Sequence, residues 1–86
     1  MNINELIAIV KNRLNREIVI QSLKIEDKSF LHKNHKGNQE GKFHLKIIIK
    51  SDELEKSSKI VSTKRIYSAL DLELKEHIHS IQILLN

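Results

Sequence analysis

The apolar positions of the first fifteen residues recur at helical spacing. Leu6, Ile9, Val10 and Leu14 form the stripe, with Ile3 and Ile7 beside it. Asn2 can cap the start, and Glu5 three residues on completes a capping-box arrangement, which predicts a helix from about Ile3 to Arg13. In the following "EIVIQSLKIEDKS" the period changes. Val19, Gln21, Leu23 and Ile25 fall on one side and Ile20, Ser22, Lys24 and Glu26 on the other. With β-branched residues in its first half, this predicts a strand from about Val19 to Glu26. "FHLKIIIKS" alternates more clearly still. Phe43, Leu45, Ile47 and Ile49 point one way, and His44, Lys46 and Lys50 the other, with Ile48 the exception. Between the two strands, "DKSFLHKNHKGNQEGK" holds both glycines and two of the five histidines and is too polar to pack, so it is a long loop.

Beyond Ser51 the helical period returns. Ser51 and Asp52 can cap a short helix, with Glu55 at capping-box distance from Asp52. The Ser57-Ser58 pair or Ser62 marks a break. Ile66, Leu70 and Leu74, joined by Tyr67, then predict an amphipathic helix of about 12 residues, with Tyr67 packed on the sheet and its hydroxyl at the rim. A last strand is expected from about Ile78 to Leu84. The order is αββααβ: an α+β fold whose three-stranded mixed sheet has helices packed on one face. Neither a repeat nor a linker divides the chain, so residues 1–86 are expected to form a single domain.

Composition narrows the chemistry. With 40% apolar and 30% charged residues the 86-residue chain is too apolar for disorder, and with two Phe, one Tyr and no Trp its core must be aliphatic. There is no cysteine, which excludes disulfides, zinc–thiolate sites and a cysteine nucleophile. Any soft-metal chemistry must use histidine or borrow thiolate from a partner. The net charge of +4 suits simple solubility, or loose contact with nucleic acid or an acidic surface. The N-terminal apolar run lacks a basic leader and is broken by Lys11 and Arg13, and no stretch is long enough to span a membrane. The expectation is a cytoplasmic protein. No phosphate-binding loop, HExxH helix or nucleophile elbow is present, so an enzyme is not expected.

Four segments, "LKIEDKSFLH", "FHLKIIIKSDEL", "IYSALDLEL" and "IHSI", resemble the BolA family in order and spacing. Asp27, Ser29 and His32 match an Asp-x-Ser-x-x-His element after the first strand. His44 and Ser51 match the second strand, with Leu45 in an aromatic place. Tyr67, Leu70, Glu73 and Leu74 match the helix, and Ile78 and His79 the last strand, with Ser80 where Ala is usual. There are departures. Leu54-Glu55-Lys56 stands where the family has Phe-x-Gly, and Ser62-Thr63-Lys64 where it has Arg-His-Arg. The resemblance implies a fold similar to class II KH domains. The KH signature GxxG is absent, since Gly37 and Gly41 are four apart in the strand–strand loop, so KH-type RNA clamping is not expected.

The resemblance also implies a function: an adaptor that pairs with a monothiol glutaredoxin and shares a [2Fe-2S] cluster with it and its glutathione, in cluster assembly, trafficking or iron regulation. Alone, the chain would carry no cofactor and be a monomer. The ligand role falls on His79 and, with His35 an alternative three residues on, His32. Imidazole can replace thiolate on one iron, and only in its neutral form, so acid should weaken ligation. By residue type alone, a histidine at a strand mouth is usually a partly buried group satisfied by a backbone carbonyl. His77 reads as a solvated turn residue, His44 as a structural or surface residue on the wet side of its strand, and Phe30 and Phe43 as core or loop anchors. The alternative function is a DNA-binding transcriptional regulator of stress response or morphology, acting through the middle helices. Lys56, Lys59, Lys64 and Arg65 would contact phosphate there; the same residues also suit a solvated face or an acidic partner.

Overall fold

A computed structural model describes residues 1–29 and 42–86. Seven elements follow in order: α1 (Ile3–Glu17), β1 (Ser22–Asp27), β2 (Phe43–Lys50), α2 (Asp52–Glu55), α3 (Lys59–Ala69), α4 (Asp71–Glu76) and β3 (Ile78–Leu85). The sheet order is β1-β2-β3, antiparallel on one side of β2 and parallel on the other. A parallel return needs a crossover, which α2, α3 and α4 supply. The mixed sheet with helices is the expected α+β architecture.

α1 begins as the capping box predicts: Asn2 Oδ1 accepts the Glu5 N–H at 2.8 Å, and Asn2 Nδ2 donates to Glu5 Oε1 at 3.0 Å. It runs four residues further than expected, with Leu14 buried beside Leu6 and Val10 and the Ile18 N–H closing the last turn on Leu14 O. β1 accordingly starts later, at Ser22. Val19, expected in the strand, is 66% exposed. Side chains tie the connector there: Val19 N–H donates to Glu53 Oε2 and Val19 O accepts from Ser51 Oγ. Ser51 caps α2 with the same oxygen, which accepts from Leu54 N. The Val19 N–H, with Arg65 and Lys56 nearby, holds the Glu53 carboxyl below the usual range despite some desolvation. This tether is therefore lost as pH falls through that lowered value.

β2 is the core strand. Leu45, Ile47 and Ile49 are buried in one cluster with Leu6, Val10 and Leu14 of α1, and Ile25, Leu54, Ile66, Leu70 and Ile78 belong to the same cluster. The break between the middle helices falls at Ser57-Ser58, where Ser58 caps α3 by accepting the Val61 N–H. A second break was not expected. Leu70, with φ −105° and ψ 16°, separates α3 from α4. The bend turns Glu73 inward and leaves Leu74 half-buried. Tyr67, expected against the sheet, is instead 41% exposed on α3, because Ser62, Ile66 and Leu70 occupy the inward positions.

Glu73 is only 3% exposed. Its Oε1 lies 3.4 Å from Arg13 Nε, an ion pair without the alignment of a hydrogen bond. Removing a carboxylate from water is costly, and one such contact offsets it poorly. Arg13, already partly exposed, can be solvated if the acid is removed. Glu73→Leu is expected to stabilise the chain by about 1–2 kcal/mol after the loss of a favourable charge near the start of α4. A thermal melt followed by circular dichroism should rise by roughly 5–15 °C. A fall of several degrees would show that the pair contributes net stability.

A candidate ligand site at the start of the last strand

Ile78 is buried, His79 and Ser80 are both exposed, and the half-buried residues that follow are Ile81, Ile83 and Leu85. Alternation thus slips by one position at His79 and Ser80. The pairing records the same slip: Phe43 lies opposite Ile78, but His44 lies opposite Ser80. His79 is the additional residue of a β-bulge. Such a bulge re-aims a side chain and is common beside functional sites. Here it puts His79 and Ser80 on the helix-free face of an edge strand that, among the described residues, pairs only with β2.

His44 lies behind the bulge. Parity places it on the helix-free face as expected, yet it is 5% exposed rather than on the surface. Its Nδ1 is 2.7 Å from Ser80 Oγ, and its ring centroid is 4.9 Å from that of His79, tilted by 52°. Its backbone is fixed as well. Ser29 Oγ accepts the His44 N–H, His44 O accepts from Lys28 N, and Asp27 Oδ1 accepts the Ser29 N–H in an Asx turn. A depression of about 350 Å³ opens alongside, lined in part by Lys28, Lys46, Ser80 and Gln82. His77, the expected turn residue, ends α4 with its N–H on Glu73 O, and its half-buried ring has Nε2 3.6 Å from Glu76 Oε2.

His32 and His35, with Phe30, Gly37 and Gly41, lie outside the described residues. Among the described residues no group of three His, Asp or Glu side chains could hold a metal ion, and the sequence offers no thiolate. Among the described residues, His79 is an exposed imidazole donor that could join a metal centre but does not complete one with its neighbours.

A family model, BolA: BolA-like protein, matches residues 14–86. The chain belongs to the BolA-like family. Among curated relatives, the DNA-binding transcriptional regulator BolA of Haemophilus influenzae is 30% identical over 75 residues, which is 87% of this chain and 70% of that protein. Among solved structures, the BolA domain of SufE1 from Arabidopsis thaliana is 26% identical with a TM-score of 0.78, covering 100% of this chain and 93% of that one. BolA1 from the same plant is 26% identical with a TM-score of 0.77, covering 92% and 87%. The BolA-like fold places His79 at the bulge of the last strand.

The basic residues singled out in the sequence do not form one patch. Lys56 follows the end of α2, while Lys59 opens α3 and lines a depression that also reaches Leu84. Lys64 and Arg65 line a different groove, against α1. Arg65 is turned inward, donating to Glu17 O at 3.1 Å and Glu53 Oε2 at 3.3 Å. Ser62 is fully buried and its Oγ donates to Leu54 O, so this position, basic in the family pattern, is here a tie between α2 and α3. Sequence reasoning missed the support that Ser29, His44 and Ser80 give to His79. It also missed Arg13 and Arg16 in the α1–α3 groove. No helix among the described residues is long and apolar enough to cross a membrane.

Proposed function

We propose that this BolA-like chain is an adaptor that pairs with a monothiol glutaredoxin and shares a [2Fe-2S] cluster with it. Cluster assembly, cluster trafficking and iron regulation are the processes such a pair would serve. The observation that carries the reading is His79: an exposed imidazole on a bulged edge strand, its ring backed by His44. The bulge leaves the ring exposed, and the His44 ring lies beside it with centroids 4.9 Å apart, so the imidazole is accessible to a partner's metal. The cluster, when bound, supplies electron transfer and a transferable iron–sulfur unit; imidazole in place of thiolate raises its potential. His32 is proposed as the second ligand, with His35 the alternative. Mixing the chain with a cluster-loaded monothiol glutaredoxin and glutathione tests the pairing. The two proteins should co-elute, and the visible absorption and circular dichroism should change. Separate elution with an unchanged spectrum would rule the pairing out.

A DNA-binding regulator is the second reading, favoured by the similarity to the Haemophilus DNA-binding transcriptional regulator. Lys56, Lys59 and Lys64 would contact phosphate, with Arg65 already engaged internally. Each contact should contribute about one unit to the slope of log affinity against log salt. Duplex binding measured by anisotropy should weaken in Lys59→Ala and Lys64→Ala and flatten in salt dependence. Binding that survives both changes unaltered would dismiss this reading.

A further inference from the structure

The groove between α1 and α3 lies on the side of the sheet away from His79. Arg13, Arg16 and Glu17 sit at helical spacing on one wall; Val61, Lys64, Arg65 and Ser68 sit at helical spacing on the other. The groove has a volume of about 550 Å³ and is open to solvent. Two of its four cations have internal duties: Arg13 meets Glu73, and Arg65 holds Glu17 O and Glu53. Arg16 and Lys64 are exposed, and no carboxylate among the described residues pairs with either. Val61, 47% exposed, and Ala69 give the groove an apolar strip.

We infer that this groove docks an acidic amphipathic segment of a protein partner. The apolar strip would cover one or two aliphatic side chains, while Arg16 and Lys64 meet flanking carboxylates. The apolar strip favours a peptide over nucleic acid. A phosphate backbone gains little from Val61 and carries one charge per about 1.7 Å of duplex, so it cannot space its charges to avoid the Glu17 carboxylate on the wall. A helical peptide spaces its carboxylates a turn apart and offers apolar side chains between them. Since the sheet separates this groove from His79, the chain can hold one partner on each side, and the docking stands whether or not the cluster reading does.

The test is a titration of the isotope-labelled full chain, followed by amide NMR at near-physiological salt. The probes are an amphipathic Leu/Glu peptide of about 16 residues, its Leu/Lys counterpart, and a short DNA duplex. The expected result is saturable shifts at Arg16, Val61, Lys64 and Ser68 with the Leu/Glu peptide alone. Arg16→Glu and Lys64→Glu should each weaken binding by about tenfold, while Lys11→Glu, an equal charge change elsewhere on α1, should alter it less than about twofold. Amide spectra of the variants report whether each remains folded. Absence of saturable shifts overturns the proposal, as do shifts that map elsewhere, equal weakening by Lys11→Glu, or a response at these residues to DNA and not to the peptide.

Discussion

His79→Ala should leave the chain folded and able to pair with a monothiol glutaredoxin, yet abolish the change that pairing makes in the cluster's visible circular dichroism. The reason lies in the placement of the residue. His79 is exposed at a bulge, outside the buried cluster, so truncation opens no core cavity. The bulge itself rests on backbone pairing of Phe43 with Ile78 and His44 with Ser80, none of which needs the imidazole. Stability should therefore change by less than about 1 kcal/mol, as for a surface substitution. The ligand role has no such substitute among the described residues: the neighbouring His44 is buried and its Nδ1 is held to Ser80. A control follows from the same geometry. Ser80→Ala removes the 2.7 Å contact to His44 but keeps His79, so the spectral change should survive, reduced rather than lost. Unfolding of His79→Ala, seen as a large fall in melting temperature, would instead make His79 a structural residue.

Ile47→Ala should be the most destabilising of the simple truncations in β2, at about 3–4 kcal/mol. Ile47 is fully buried in the central strand and pairs with Ile25 on one side and Ile83 on the other. A chain of this size has one core, and a cavity at its centre cannot collapse without moving both neighbours. The melting temperature should fall by roughly 15–25 °C. Ile48→Ala, one residue on, is the internal comparison. Ile48 is half-buried and points to the helix-free face, so its loss should cost about 1 kcal/mol. Equal costs for the two variants, measured by urea unfolding, would mean that the helix-free face of the sheet is covered as fully as the core.

Local patterns were legible in the sequence wherever one element carries its own signal. The Asn2 and Glu5 spacing marked the start of α1, and the alternation of Leu45, Ile47 and Ile49 marked the buried face of β2. The Ser57-Ser58 pair marked the break before α3. Features that depend on pairing across long separations were not legible. The burial of His44 needs Ser80, thirty-six positions away, brought opposite it by the parallel register. The end of α1 and the start of β1 were misplaced because Glu53 and Ser51, from another element, hold Val19. The bulge did leave a trace: Ile78 is followed by inward residues at 81, 83 and 85, a change of phase that periodic reading detects once Ile78 is assigned inward. The basic residues of the middle helices were chosen by composition. Within α3, however, Lys59 and Lys64 face different depressions, and Arg65 is engaged by Glu17 O and Glu53.

The most direct test of the ligand assignment is pulsed electron paramagnetic resonance on the reduced complex, with this chain alone carrying nitrogen-15 histidine. The account predicts a strong nitrogen-15 coupling in the wild-type complex that disappears in His79→Ala. A complex that shows cluster signals but no coupling to a labelled histidine of this chain, or one whose coupling persists unchanged in His79→Ala, would contradict it.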